Sequence, residues 1–173
     1  WNLVGYERHK ELPEQATNNA QSYGVSHRVD FRYCPPHSTF SIPGGYDAIF
    51  LKSFLALTPE KVMYRDWLQW LHSQLRPGGV LIAIENGRGG LLDKMYRKYI
   101  RRCLWSEWLL FDSWCKQEID NLFSKVDVEY FGFYSQFFTR VKPLYNFVSK
   151  LEEFWLKPHI DHCFIASIVA QKQ

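Results

Sequence analysis

Two carboxylates in this sequence stand where such a group can do chemistry. Glu7 ends the apolar run Leu3–Tyr6, and Glu85, followed by Asn86, ends the run Val80–Ile84. If both runs are strands of an open α/β sheet, both residues reach its carboxyl edge, where ligands bind in such sheets. Glu7 could accept hydrogen bonds from both hydroxyls of a ribose; the plainer alternative is a solvated carboxylate favoured by the dipole of the next helix. Glu85 could orient or deprotonate a hydroxyl or carboxyl group on a substrate. Lys52 and Ser53 follow the run Tyr46–Leu51 and meet the same edge, although a lysine there can equally be a solvated loop residue. The glycine cluster Gly87-x-Gly89-Gly90 comes after a strand and reads as a loop rather than a ligand cradle.

Other residue groups are weaker. His159-x-x-His162 with Asp161 has ligand-like chemistry but lacks a third convincing partner, so no metal is expected. The four cysteines form no CxxC pair and suggest neither a zinc site nor a disulfide framework, which fits a reducing cytoplasm. In the stretch DKMYRKYIRRCLWSEWLLFDSW, Lys94, Arg97, Lys98, Arg101 and Arg102 precede Trp105, Trp108, Leu109, Leu110, Phe111 and Trp114. Residues 94–114 could lie at a membrane surface or admit a greasy or anionic substrate; a helix with a solvated basic face and a core-packing apolar end is the simpler account.

These residues need a scaffold. A chain of 173 residues has room for one domain, which would bury roughly two thirds of its unfolded surface. A hydrophobic content of 46% with 23% charged residues suits a soluble globular protein, and no apolar stretch approaches the roughly 20 residues of a membrane span. A net charge of +3 is too small to argue for nucleic acid as a partner. No signal peptide pattern opens the chain.

The pattern predicts a strand over residues 1–7 and a helix from Leu12, with Pro13 in its first turn and Gly24 just past its end. Residues 28–34 read as a strand stopped by Pro35-Pro36, and 46–51 as a buried strand with little alternation. Thr58-Pro59 starts a helix carrying Val62, Trp67, Leu68, Leu71 and Leu75, and Pro77-Gly78-Gly79 turns it into VLIAIE, another buried strand. Residues 91–104 look helical, and 112–123 form a helix capped by Asp112 or Ser113. Strands over 126–134 and 162–171 flank a helix around 145–155. Strands alternating with helices over short connections argue for an α/β fold, a parallel sheet covered by helices.

The order LVGYERHKELPEQA, then YDAIF, then LRPGGVLIAIE resembles the Rossmann-like (class I) S-adenosylmethionine-dependent methyltransferases. In that family the second strand ends in an acidic residue with an alanine nine positions later, a spacing kept by Gly5-Tyr6-Glu7 and Ala16. An aromatic-Asp pair begins its fourth strand, matched by Tyr46-Asp47, and L-x-P-G-G precedes its fifth, matched by Leu75–Gly79. The resemblance is clearest over residues 3–86. It implies a sheet flanked by helices, mostly parallel with an antiparallel final strand, in one partial domain: cofactor-side elements over 1–86, an acceptor-side helical segment over 87–125 and closing strands over 126–173.

The resemblance also implies S-adenosylmethionine as cofactor, with Tyr6, Glu7, Cys34, Lys52 and Ser53 facing it. Asn86, Arg88, Trp105 and Trp108 would meet a small-molecule or lipid-like acceptor, and Glu85 would be the base if one is needed. The sequence departs from the family in three ways. The family's first strand, which lies between its second and fourth, and the glycine-rich loop after it would precede Trp1, so the chain reads as an N-terminally truncated fragment that binds cofactor poorly, unless those two strands close the gap. Cys34-Pro35 stands where an adenine-binding carboxylate is common, and Ala56 and Leu57 replace frequent histidines. A catalytically inactive, partner-binding module fits those departures. A nicotinamide-dependent oxidoreductase, which also ends its second strand with a ribose-binding carboxylate, fits the L-x-P-G-G turn and the closing strands less well.

Overall fold

A computed structural model describes residues 2–7, 9–33, 44–55, 60–88, 110–132, 141–154, 159–160, 163 and 165–173. The chain forms two compact units, Trp1–Ile42 and Pro43–Gln173.

In the first unit, β1 (Leu3–Glu7) and β2 (Val29–Tyr33) pair in parallel from Leu3↔Val29 to Glu7↔Tyr33. Between them lie α1 (Leu12–Ser22) and a single 3-10 turn, Ser26–Arg28. Pro13 sits in the first turn of α1, where its missing N–H costs nothing, and Gly24 follows the helix at φ 69°, a conformation that glycine adopts without strain. Ala20 is the buried residue of α1.

The second unit contains β3 (Tyr46–Lys52), α2 (Lys61–Gln74), β4 (Leu75–Asn86), α3 (Ser113–Leu122), β5 (Lys125–Phe131), α4 (Lys142–Phe154) and β6 (Ile165–Gln171). Its sheet runs β3-β4-β6-β5. β3 and β4 are parallel, whereas β6 is antiparallel to both its neighbours, from Val80↔Gln171 to Asn86↔Ile165 and from Lys125↔Gln171 to Phe131↔Ile165. This is the expected mixed sheet with an antiparallel final strand.

The core lies on one face of that sheet. Leu81 and Ala83 of β4 and Ala166, Ile168 and Ala170 of β6 alternate with more exposed neighbours, as a strand period of two requires. Tyr64, Leu68 and Leu71 of α2 and Cys115 and Ile119 of α3 complete the same cluster. Asp112 caps α3, its Oδ1 accepting the N–H of Cys115 at 3.1 Å. At the other end of the sheet Lys172 closes α2, donating from Nζ to the carbonyls of His72 (2.8 Å) and Leu75 (2.7 Å).

Two expectations need correction. β3 alternates: Ile49 and Leu51 pack on the core, while Phe50 is 63% exposed, because its side chain points to the opposite face of the sheet, which carries none of the core cluster. On α2 the buried stripe is Tyr64, Leu68 and Leu71, and Val62 is 65% exposed. Val62 lies two positions before Tyr64, about 200° round the helix, and so faces away. The Thr58-Pro59 start of α2 and the basic helix over 91–104 lie outside the described residues. Among the described residues no helix is long and apolar enough to cross a membrane.

Candidate functional site

In the first unit, Glu7 ends β1 at the carboxyl edge of a parallel pair. Its Oε1 accepts the backbone N–H of His9 at 3.0 Å, so the chain turns back over the carboxylate before α1 begins. Tyr6 beside it is exposed at 37%. Cys34, the expected adenine-side residue, lies outside the described residues.

In the second unit the carboxyl ends of β3 and β4 lie side by side, with Lys52 opposite Ile84. Lys52 is exposed. Ser53 leaves the strand in a left-handed conformation, φ 50°, which a non-glycine residue adopts only when its surroundings hold it there. Four bonds with β4 hold it and the two residues after it. Ser53 N–H donates to the Ile84 carbonyl at 2.8 Å, and Asn86 Nδ2 donates to Ser53 Oγ at 3.1 Å. Glu85 Oε1 then accepts the N–H groups of both Phe54 (3.1 Å) and Leu55 (3.0 Å).

That arrangement changes the reading of Glu85. Its side chain is buried, 2% exposed, and its Oε1 lies on the β3 exit loop, where it accepts from two backbone donors. Sequence reasoning missed this because the partners are amides with no residue-type signature.

Beyond Asn86 the chain meets the start of the helical segment. Gly87 forms a parallel bridge with Phe111; Phe111 N–H donates to the Asn86 carbonyl (2.9 Å) and Arg88 N–H to the Phe111 carbonyl (3.2 Å). Arg88 Nη1 stands 3.7 Å from Asp112 Oδ2, so Asp112 both caps α3 and anchors the arginine. Ser53, Asn86 and Arg88 are thus gathered at one sheet edge, while Trp105 and Trp108 lie outside the described residues.

Behind this edge lies a buried polar pair. Tyr64 is 1% exposed and Cys115 fully buried. Burial pushes the Tyr64 hydroxyl well above its usual range, with nearby Cys115 and Glu85 adding to the shift. Burial likewise pushes the Cys115 thiol up to about 12. Both stay protonated at neutral pH, which rules Cys115 out as a thiolate nucleophile. Of the His159/His162/Asp161 group only His159 is described, and among the described residues no cluster of three or more His, Cys, Asp or Glu is placed to hold a metal ion.

Solved structures resemble this fold over nearly the whole chain. A candidate exported protein from Bordetella parapertussis superposes with a TM-score of 0.66 at 12% identity, over 99% of this chain and 53% of its own. The N-methyltransferase NodS from Bradyrhizobium japonicum, solved with S-adenosyl-L-homocysteine, gives 0.58 at 10% identity, over 99% of this chain and 66% of its own. A geranyl diphosphate methyltransferase, solved with S-adenosylmethionine, gives 0.63 at 13% identity, over 99% and 69%. The fold is that of the Rossmann-like methyltransferases. The chain spans about half to two thirds of the length of these three proteins. No family model matches the sequence, and no curated protein does.

Proposed function

We propose that the protein to which this chain belongs transfers a methyl group from S-adenosylmethionine to a small-molecule or lipid-like acceptor. The observation that carries the reading is the likeness to methyltransferase structures over 99% of the chain, two of them solved with the cofactor or its product. When bound, S-adenosylmethionine supplies a methyl group already activated by positive sulfur, so a protein's main tasks are alignment and exclusion of water.

The residues present are compatible with that cofactor. Glu7, at a strand's carboxyl end with its backbone turned over one oxygen, is suited to hold ribose hydroxyls, with Tyr6 beside it. Lys52 and Ser53 are the cofactor-facing candidates of the second unit, and Asn86 and Arg88 the acceptor-facing ones. A lipid-like acceptor is supported by α4, which presents Leu144, Phe147, Leu151 and Phe154 at helical spacing with exposures of 37% or more. Peripheral membrane contact through residues 94–114, a cytoplasmic location and independence of nucleic acid belong to the same proposal.

The test is isothermal titration of S-adenosylmethionine and S-adenosylhomocysteine into this chain and into the full-length product of its gene. Binding by the full-length protein, weakened about ten- to a hundred-fold by Glu7→Ala, is expected from loss of charge-assisted bonds to ribose. No uptake by either folded protein would sink the cofactor reading. That result would favour a second one, a methyltransferase-like module that binds a partner and catalyses nothing, which draws support from the commitment of Glu85 to backbone amides.

A further inference from the structure

We infer that Glu85 is a positioning residue: an amide clamp that fixes the β3 exit loop, Ser53–Leu55, against the end of β4. The inference rests on the methyltransferase reading only where it gives that loop a cofactor-facing role. Three features point to the clamp. One carboxylate oxygen takes two consecutive backbone N–H groups, Phe54 and Leu55, from a residue about thirty positions away in sequence. The neighbouring Ser53 holds a left-handed backbone that its own residue type disfavours, and it is tied to β4 at Ile84 and Asn86 on either side of Glu85. The whole assembly is shielded: Glu85 is 2% exposed and Leu55 fully buried.

The physical logic is one of satisfied donors. A chain that leaves a strand at a buried sheet edge exposes consecutive N–H groups that no ladder can pair, and leaving them unpaired in the interior is costly. A carboxyl oxygen with two lone pairs satisfies two at once. The loop's shape is then dictated by β4 rather than by its own sequence. Lys52 and Ser53, the candidates for contact with the cofactor, sit directly before the clamped amides and take their placement from it.

A base and a clamp predict opposite behaviour of the amide isostere. Glutamine keeps a carbonyl oxygen able to accept both N–H groups, but it cannot take up a proton. Hydrogen exchange of the Phe54 and Leu55 amides, read by NMR, should quicken on the order of ten- to a hundred-fold in Glu85→Ala. Glu85→Gln should retain most of the protection, and the Ser124 and Lys172 amides, bonded elsewhere in the sheet, should stay unchanged in both. In the unmodified protein, through-hydrogen-bond couplings should link the two amide nitrogens to the Glu85 carboxyl carbon, a measurement that needs no variant to fold. Absence of those couplings, or equal protection in Glu85→Ala and the wild type, would overturn the clamp.

Affinity for S-adenosylhomocysteine, measured on the full-length gene product, supplies the functional arm. It should fall about tenfold in Glu85→Ala and recover in Glu85→Gln, the loss of about one hydrogen bond's worth of placement. An unchanged affinity in a Glu85→Ala protein that has lost the exchange protection would overturn the positioning role. A wild-type protein that takes up no S-adenosylhomocysteine counts against the methyltransferase reading, while the exchange experiment still decides the clamp.

Discussion

Replacing Gly87 with alanine should damage the second unit more than any other single added methyl group at its sheet edge. A Cβ on Gly87 would stand 2.6 Å from Cys163 Sγ and 2.9 Å from the Cys163 carbonyl carbon, with the carbonyl oxygen nearer still. Carbon atoms rest at roughly 3.5 Å or more from such neighbours, so the strand end would have to move by about 1 Å. It has little freedom to move, since Gly87 is bridged to Phe111 on one side and Asn86 is in the β4–β6 ladder on the other. Overpacking of this kind costs about 3 kcal/mol, the upper part of its usual range. Urea unfolding followed by tryptophan fluorescence is the assay, because Trp67, Trp70 and Trp114 all pack on this core. The midpoint should fall at constant slope, and in heating the transition should drop by about 6–12 °C. Adding Cys163→Ala should not rescue the variant, because the tightest contact is to a backbone oxygen that the second substitution leaves in place. A Gly87→Ala protein within 0.5 kcal/mol of wild type, or restored by Cys163→Ala, would refute the close-approach argument.

Gly5→Ala makes a contrasting case in the first unit: its Cβ would meet the Phe31 ring at 2.6 and 2.8 Å, a side-chain contact, so pairing it with Phe31→Ala should recover part of the loss in a double-mutant cycle. Lys172→Met should destabilise the second unit by about 2 kcal/mol, removing two charged hydrogen bonds from the carboxyl end of α2, as chemical denaturation would show. Tyr64→Phe should be neutral or stabilising by up to about 1 kcal/mol, since the buried hydroxyl has beside it only the Cys115 thiol, a weak hydrogen-bonding group. His72 is held below its ordinary value of 6.5 by burial first and by Lys172 second. The unfolded chain therefore binds more protons there, so His72 contributes stability that is present above about pH 6.5 and fades as the pH falls through its lowered folded value. His72→Gln should flatten that part of a stability-against-pH curve.

The sequence alone determined the order and type of the elements, because those follow from local causes. Pro13 and Gly24 mark the ends of α1, Asp112 caps α3, and the unbroken apolar run Val80–Ile84 marks β4 as a buried strand. The spacing of Glu7 to Ala16 and the Leu75–Gly79 turn were enough to suggest the methyltransferase fold that the comparison of structures supports. Tertiary structure decided what periodicity cannot. It left the face of β3 that carries Phe50 open to solvent, and it chose Tyr64 over Val62 for the core. It also set Glu85 Oε1 onto two amides of a loop about thirty residues earlier in the chain. A strand's end fixes where a carboxylate begins, but the donors that approach it are brought by another part of the chain, and only the folded sheet brings them together.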